Sequence, residues 1–195
     1  NYNNKFSLSL YKRKKRFNIF MNLLKNKSGN KVLDIGGFGN SLEILSKNFV
    51  NSNYITILNI ENIDVSNRNM KFVHGDATSE NQFSPKSFDV IHCNSVIEHV
   101  GDFDQMKKLS SNIKTWGVNY FVQTPAFYFP IEPHFLIPLF HYLPIKLRAY
   151  ILTKFKLASF PREKNYSNAL SIVSSIRLLK ENEFKSIFPE ATILK

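Results

Sequence analysis

A glycine-rich turn directly after an apolar run has the clearest chemical content in this sequence. Residues 31–40 read KVLDIGGFGN, so Asp34 lies near the end of the run and Gly36, Gly37 and Gly39 follow it. Glycines allow close approach of the backbone to a ligand, and the N–H groups that open the next helix attract ligand oxygens. The order of strand, glycine turn and helix therefore predicts a ligand site at the carboxyl end of the strand.

The spacing of the glycines separates two classes of ligand. The dinucleotide fingerprint requires further glycines at the positions that Phe38 and Ser41 occupy when the count starts at Gly36. Asp34 also places a carboxylate where a pyrophosphate would be repelled. The turn therefore favours a cationic ligand over a dinucleotide.

Two titratable residues, Glu132 and His134, lie in an otherwise aromatic loop (residues 123–135, QTPAFYFPIEPHF). A carboxylate that fixes the tautomer of a histidine makes that histidine a candidate general base. In the alternative interpretation, Glu132 and Pro133 open a helix and His134 satisfies a local carbonyl. His99 is a rival base, although a structural role is favoured for the Glu98-His99 pair. No His, Asp or Glu set recurs at ligand spacing, so the sequence predicts no metal site.

Short apolar runs alternate with helical patterns from about residue 30 onwards. The apolar runs predict strands, and the helical spacing predicts helices between and after them. Together they predict a doubly wound, mostly parallel α/β sheet with three layers. The predicted strands are 32–35, 54–60, 70–74, 88–93, 118–123 and 191–194, and the predicted helices, besides an N-terminal one, are 41–49, 105–114 and 167–180.

The expected organisation is a single domain with four parts. These are an N-terminal helix (1–29), a donor-binding core (30–125), a helical lid or acceptor insertion (126–165), and a final helix and strand (166–195). Sheets of this type usually end in an antiparallel strand, and no sequence remains to supply it. We therefore expect either a truncated chain or a sheet that is one strand short.

Four segments in order resemble the motifs of class I S-adenosylmethionine-dependent methyltransferases, a Rossmann-like fold. Residues 32–40 resemble motif I, and residues 59–61 (NIE) occupy the position of the acidic loop. Residues 74–77 (HGDA) are similar to the adenine-reading segment, and residues 87–100 (SFDVIHCNSVIEHV) to the fourth-strand motif of the broad small-molecule methyltransferase group. The turn departs from the family pattern, because Phe38 and Asn40 stand in two of its glycine positions.

The resemblance implies that the chain binds S-adenosylmethionine and releases S-adenosylhomocysteine. It implies ribose contacts from Asn59 or Glu61, and adenine contacts from Asp76 and the backbone of Ala77. The whole candidate donor site is Asp34, Gly36, Gly37, Gly39, Asn59, Glu61, Asp76, Ala77 and Asn94. The proline- and aromatic-rich stretch after residue 125 resembles a bacterial subgroup of unassigned substrate. The implied reaction is methyl transfer to a small molecule or glycan, at oxygen, with His134, Glu132 and His99 as candidate catalytic residues.

Two alternative functions remain open. The net charge of +11 and the basic cluster at residues 12–16 would suit an RNA methyltransferase. Against RNA, residues 94–97 (NSVI) stand where a base-reading motif would follow the fourth strand, so nucleic acid is disfavoured as a partner. In the other alternative, Phe38 and Asn40 mark a truncated or degenerate domain without catalytic activity.

Residues 135–152 (FLIPLFHYLPIKLRAYIL) are aromatic, broken by prolines and basic towards their end. Three roles are open: a lid over the acceptor, a packing or dimer contact, or, least favoured, peripheral contact with a membrane. A single cysteine, Cys93, excludes an internal disulfide, and with no secretory signal this favours a cytoplasmic location. The expected oligomeric state is a monomer or a homodimer.

Overall fold

The computed structural model describes residues 8–22, 24, 28–39 and 41–194. Five strands within these residues form the main sheet in the order β3-β2-β1-β4-β5. Neighbours β3 and β2, β2 and β1, and β1 and β4 pair in parallel. The strands are β1 (Lys31–Ile35), β2 (Tyr54–Asn59), β3 (Met70–His74), β4 (Phe88–Asn94) and β5 (Gly117–Gln123). The predicted doubly wound α/β sheet is confirmed, and its strand order reverses between β1 and β4, where such sheets bind their ligands.

Helices connect the strands and follow the sheet. They are α1 (Leu8–Asn22), α2 (Ser41–Leu45), α3 (Lys47–Ser52), α4 (Phe103–Trp116), α5 (Ile145–Lys154), α6 (Tyr166–Ser174) and α7 (Glu181–Ile187). Two single-turn 3₁₀ helices lie at Ile97–His99 and Phe140–Tyr142, and a short hairpin is formed by β6 (Ile131–Glu132) and β7 (Ile137–Pro138). The predicted insertion after the fifth strand therefore contains this hairpin as well as helices.

The chain forms two compact units. The first unit comprises residues 1–94 and 111–122, and the second comprises residues 95–110 and 123–195. The four-part domain scheme stays a prediction. No helix in the described part of the chain is both long and apolar enough to cross a membrane.

The core of the first unit lies where α1 and α3 pack on the sheet. Phe17, Phe20 and Phe49 are buried there, with ring centroids 5.3–5.6 Å apart. Val32 and Ile57 contribute the apolar strand positions of the same core. Strands β1 and β2 read as almost continuous apolar runs because a parallel sheet is covered on both faces. Val90 of β4 belongs to the same core, which therefore packs against both β1 and β4.

A separate core lies within the second unit. Phe135, Phe140 and Leu152 pack there against Ala169 and Val173 of α6. Residues 135–152 therefore bury several of their apolar side chains in packing. Other large side chains of the same segment stay exposed, namely Leu136, Leu139, Tyr142, Ile145, Leu147 and Tyr150. The lid and membrane roles of the segment stay predictions.

Three predicted elements differ from the structure. The helix at 41–49 is two helices, because Ser46 accepts a hydrogen bond from the Phe49 amide and starts α3 there. The helix at 167–180 ends at Ser174, because the backbone of Leu179 pairs with that of Phe127 instead. Residues 191–194 do not form the predicted strand.

Candidate functional site

The glycine turn after β1 is built around the Asp34 side chain. Gly36 has a φ of +68°, which glycine adopts without strain. A Cβ at Gly37 would overlap Oδ2 of Asp34, so the carboxylate occupies the space that a side chain would need. A Cβ at Gly39 would likewise come within 2.7 Å of the Asp64 carbonyl oxygen. These glycines are therefore required by close packing beneath the turn.

Asp34 pairs with a histidine on the neighbouring strand. Nδ1 of His92 donates a hydrogen bond of 2.7 Å to Oδ1 of Asp34, and both residues are buried. Phe20 and Phe121 lie against the His92 ring, the latter stacked at an interplanar angle of 5°. The Asp34 carboxylate is thus held beneath the glycine turn by β4 and by the aromatic core.

Asn59, at the end of β2, connects the glycine turn to the loop that contains Glu61. Nδ2 of Asn59 donates to the Gly37 carbonyl oxygen at 3.2 Å, and Oδ1 accepts from the Glu61 amide at 3.0 Å. Asn59 is 9% exposed, whereas Glu61 is exposed. Asn59 therefore fixes the loop, and Glu61 has the carboxylate that is accessible to a ligand.

Asp76 and Ala77 follow β3 at the same edge of the sheet. Oδ1 of Asp76 accepts hydrogen bonds of 2.8 Å from both the amide and the hydroxyl of Thr78. Ala77 is buried, and its carbonyl oxygen accepts from Nδ2 of Asn112. One carboxylate oxygen of Asp76 therefore holds the loop after β3 in place, and the Asp76 residue is itself exposed on that loop.

The remaining donor-site candidates lie around this edge. Asn94 ends β4 and is half-buried, and Phe38 in the turn is 55% exposed. Asn40 lies outside the described residues. Because β1, β2, β3 and β4 are parallel neighbours, their carboxyl ends bring the predicted donor-site residues to one edge of the first unit.

Within the second unit, Glu132 and His134 form a close pair. Oε1 of Glu132 accepts from Nδ1 of His134 at 2.7 Å, while Oε2 accepts from the amides of His134 and Phe135. Burial alone would raise the pKa of Glu132, but these hydrogen bonds outweigh it and hold the pKa below the usual value. The carboxylate caps the turn after β6, and no helix begins there. The same contacts fix the His134 ring with Nδ1 as its donor.

Glu98 reaches the same pair from the 3₁₀ turn after β4. The residue is fully buried, and Oε2 accepts from the Thr124 hydroxyl at 3.0 Å. Oε1 lies 3.9 Å from Nε2 of His134 and accepts no hydrogen bond from the described residues. Loss of hydration on burial raises the pKa of Glu98, although hydrogen bonds and the nearby His134 oppose the shift.

His99 completes the cluster beside His134. The two rings meet edge to face with centroids 4.8 Å apart. The surrounding protein disfavours the charged imidazole and, together with repulsion from His134, lowers the pKa of His99 to about 4. The residue as a whole is nevertheless exposed to solvent. Thus His99 comes together in the second unit with Glu132 and His134, which lie much further along the chain.

Sequence reasoning missed His92 and Glu98 as site residues. His92 stands inside an apolar strand that also carries Cys93, and a buried polar residue at such a position requires a partner. That signal could have indicated that His92 has a buried partner, but not which one. Glu98 lies next to His99 in the sequence, but its convergence with His134 depends on the turn after β6, which no local pattern specifies.

The strand order and the polar edge of the sheet are those of the class I methyltransferase fold. A family model described as a methyltransferase domain matches residues 10–185. The chain belongs to this methyltransferase domain family. The search of curated proteins gave no significant match.

Solved structures show the same fold at low sequence identity. A putative methyltransferase from an antibiotic biosynthesis pathway of Anabaena variabilis is 13% identical, with a TM-score of 0.51 over 90% of this chain and 60% of its own. A SAM-dependent methyltransferase from Methanosarcina mazei is 17% identical, with a TM-score of 0.52 over 88% of this chain and 82% of its own.

A third similar structure contains a cofactor product. Phosphoethanolamine N-methyltransferase 2 of Haemonchus contortus, in complex with phosphomonomethylethanolamine and S-adenosylhomocysteine, is 15% identical with a TM-score of 0.54. The match covers 90% of this chain but 36% of that protein. The chain thus spans less than two thirds of the length of two of these three structures.

Proposed function

We propose that this protein transfers a methyl group from S-adenosylmethionine to a hydroxyl group of a small-molecule or glycan acceptor. The single observation that carries the choice of oxygen is the Glu132–His134 pair, which provides a group able to take a hydroxyl proton. Membership of the methyltransferase domain family supports the reaction class. S-adenosylhomocysteine in the complex of the Haemonchus contortus enzyme supports the choice of donor.

The proposed donor site is the polar edge of the sheet in the first unit. Glu61 is exposed in the loop after β2 and offers its carboxylate to the two ribose hydroxyls. Asp76 and the backbone of Ala77 are assigned to the adenine edge. Asp34 acts indirectly in this proposal, because His92 already occupies one of its oxygens and the other lies beneath Gly37. Asp34 therefore shapes the turn that receives the methionine part of the donor.

The proposed acceptor chemistry uses Nε2 of His134. With Nδ1–H donated to Glu132, the neutral ring has its lone pair on Nε2. In the transfer step the acceptor oxygen forms a bond to the methyl carbon while the bond from that carbon to the donor sulfur breaks. The hydroxyl proton goes to Nε2, and S-adenosylhomocysteine leaves as a neutral thioether. General-base help of this kind contributes about 10²–10⁴-fold to the rate.

The test is transfer of a labelled methyl group to matched acceptors. The wild-type protein and the His134→Asn variant are incubated with methyl-labelled S-adenosylmethionine and three acceptor pools: hydroxylated small molecules and glycans, amines of similar size, and RNA. We expect label on a hydroxyl acceptor, a loss of at least about 100-fold in the variant, and unchanged donor binding. Label confined to amines or to RNA would contradict the proposal.

A further inference from the structure

We propose that Glu98, His99 and His134 bind a divalent transition-metal ion. One ligand atom from each of these residues lies within 4.8 Å of the others. All three residues belong to the second unit. The set contains two imidazoles and one carboxylate, a combination that binds metal ions in many proteins.

The separations need only a small adjustment to surround an ion. Bonds of about 2.0–2.2 Å to nitrogen and oxygen place two ligand atoms between about 3.3 Å and about 4.4 Å apart, depending on the angle at the ion. Oε1 of Glu98 and Nε2 of His134 are 3.9 Å apart, already within this range. Side-chain shifts below about 1 Å would bring the third ligand atom within bonding distance as well.

An unsatisfied oxygen gives independent support for a missing ligand. Glu98 is 0% exposed, and its Oε1 accepts no hydrogen bond from the described residues. A buried carboxylate oxygen without a partner has a cost in folding free energy, because it has lost its hydration and gained no hydrogen bond. The same oxygen faces Nε2 of His134. A cation between the two atoms would remove this cost.

The groups around the cluster also resemble those that orient metal ligands. Glu132 accepts from Nδ1 of His134 at 2.7 Å, which leaves Nε2 to face Glu98. The Thr124 hydroxyl donates to Oε2 of Glu98, which leaves Oε1 on the side of His134. Carboxylates and hydroxyls in these positions fix the ring and the carboxylate in their ligating orientation, and they raise ligand basicity.

The ligand types select the ion. Two imidazole nitrogens favour Zn²⁺, Fe²⁺ or Co²⁺, whereas Mg²⁺, Ca²⁺ and Mn²⁺ favour oxygen ligands. Three protein ligands leave at least one coordination position open, as in catalytic metal sites. His99, one of the three ligands, is exposed to solvent. Water or the oxygen of a small ligand would fill the open position.

A bound ion would also change how the acceptor hydroxyl is activated, and this part of the inference rests on the proposed function. A hydroxyl bound to a divalent cation loses its proton more easily than a free hydroxyl. Because Nε2 of His134 cannot hold a proton and a metal ion together, the loaded protein would activate the acceptor by coordination, and the hydroxyl proton would pass to solvent water. The metal-free protein would instead rely on His134 as the base.

Metal binding is tested directly, without donor or acceptor. The protein is first freed of metal with a chelator, the chelator is removed, and Co²⁺ is added while its visible absorption is recorded. We expect a one-to-one complex with an imidazole-type spectrum, and displacement of Co²⁺ by Zn²⁺ but not by equimolar Mg²⁺. His134→Ala, His99→Ala and Glu98→Gln should each weaken Co²⁺ binding by at least about 10-fold. The matched control is His74→Ala, which removes an exposed histidine of β3 and should leave binding unchanged.

The outcomes separate this inference from the proposed function. Absence of Co²⁺ or Zn²⁺ binding, or equal weakening by the His74→Ala control, would overturn the metal site. Circular dichroism of each variant shows whether it folds. If Glu98→Gln does not fold, the His99→Asn variant is measured in its place. Calorimetry with S-adenosylhomocysteine in the presence of chelator measures the donor site independently, so failure of one proposal is distinguished from failure of the other.

Discussion

The Asp34 carboxylate and the His92 ring form a buried hydrogen bond of 2.7 Å between β1 and β4. This bond lies at the point where the strand order of the sheet reverses. Oδ2 of the same carboxylate lies beneath Gly37. One buried pair therefore connects the aromatic core of the first unit to the turn that we assign to the donor.

Replacing His92 should destabilise the protein strongly. His92→Phe would leave the Asp34 carboxylate buried without its partner, and breaking a buried pair in this way costs about 3–5 kcal/mol. Chemical denaturation followed by circular dichroism measures the loss. The control His74→Phe changes an exposed histidine and should alter the free energy of unfolding by about 0.5 kcal/mol or less. Equal stability of the two variants would contradict the role given to the pair.

Adding a methyl group at Gly37 should disturb the turn. In Gly37→Ala the new Cβ overlaps Oδ2 of Asp34, and overpacking of this kind costs about 1–3 kcal/mol. Donor affinity should also fall, because the carboxylate and turn must move apart. The control is Gly29→Asn, at a positive-φ position with no atom within 4 Å of the added Cβ, since asparagine tolerates this conformation. Thermal unfolding and donor titration of both variants check the prediction, which fails if Gly37→Ala behaves as Gly29→Asn does.

Glu61 and Asn59 should affect the donor site in different ways. Glu61→Gln removes an exposed carboxylate, so we expect roughly 10-fold weaker binding of S-adenosylhomocysteine with unchanged stability. Asn59→Ala removes the hydrogen bonds to Gly37 and to the Glu61 amide, so both stability and binding should fall. Calorimetry and thermal unfolding measure the two effects. Glu80→Gln, at another exposed carboxylate, is the control. If Glu61→Gln bound the ligand as tightly as this control, the ribose role would be wrong.

Glu183 should make the stability of the protein depend on pH. Burial would raise the pKa of Glu183, but hydrogen bonds from the Lys180 amide and from Arg177 outweigh it and hold the pKa below its usual value. Because the folded pKa is depressed, the stabilisation is complete above the unfolded pKa and is lost as the pH falls through the folded pKa. Glu183→Gln should therefore cost less than about 1 kcal/mol at pH 7 and nothing in strong acid. Denaturation midpoints across this range check the trend. A difference that grows in acid would contradict it.

The five strands of the main sheet were predicted well from the sequence because each has a local signal, whereas the sixth predicted strand, at 191–194, does not form. The third strand was predicted at its observed bounds, Met70–His74, and the others within one residue at either end. Runs of β-branched and apolar residues bounded by polar turns carry this information without reference to the rest of the chain. The pairing of residues far apart in the sequence has no such local signal. Residues 175–180 have a helical pattern, but their backbone pairs with that of residue 127 and with Glu98, so tertiary contacts override the local preference.

The residues of the candidate sites also fall into two groups, those that could be placed from the sequence and those that could not. The residues after β1, β2 and β3 could be placed at one edge from the sequence, because parallel neighbours end together. The approach of Glu98 to His134 could not be predicted, since it depends on the turn that Glu132 caps through the amides of His134 and Phe135. The pairing of His92 with Asp34 requires the register of β1 and β4, which places the two residues side by side.

Calorimetric titration of the wild-type protein tests the central claim most directly. The protein is titrated with S-adenosylmethionine, with S-adenosylhomocysteine and with a reduced dinucleotide, and the first two titrations are repeated with Asp76→Ala. We predict one binding site per chain for the donor and its product, binding at least about 10-fold weaker in the variant, and no binding of the dinucleotide. Binding of the dinucleotide without binding of S-adenosylmethionine or S-adenosylhomocysteine would contradict the account.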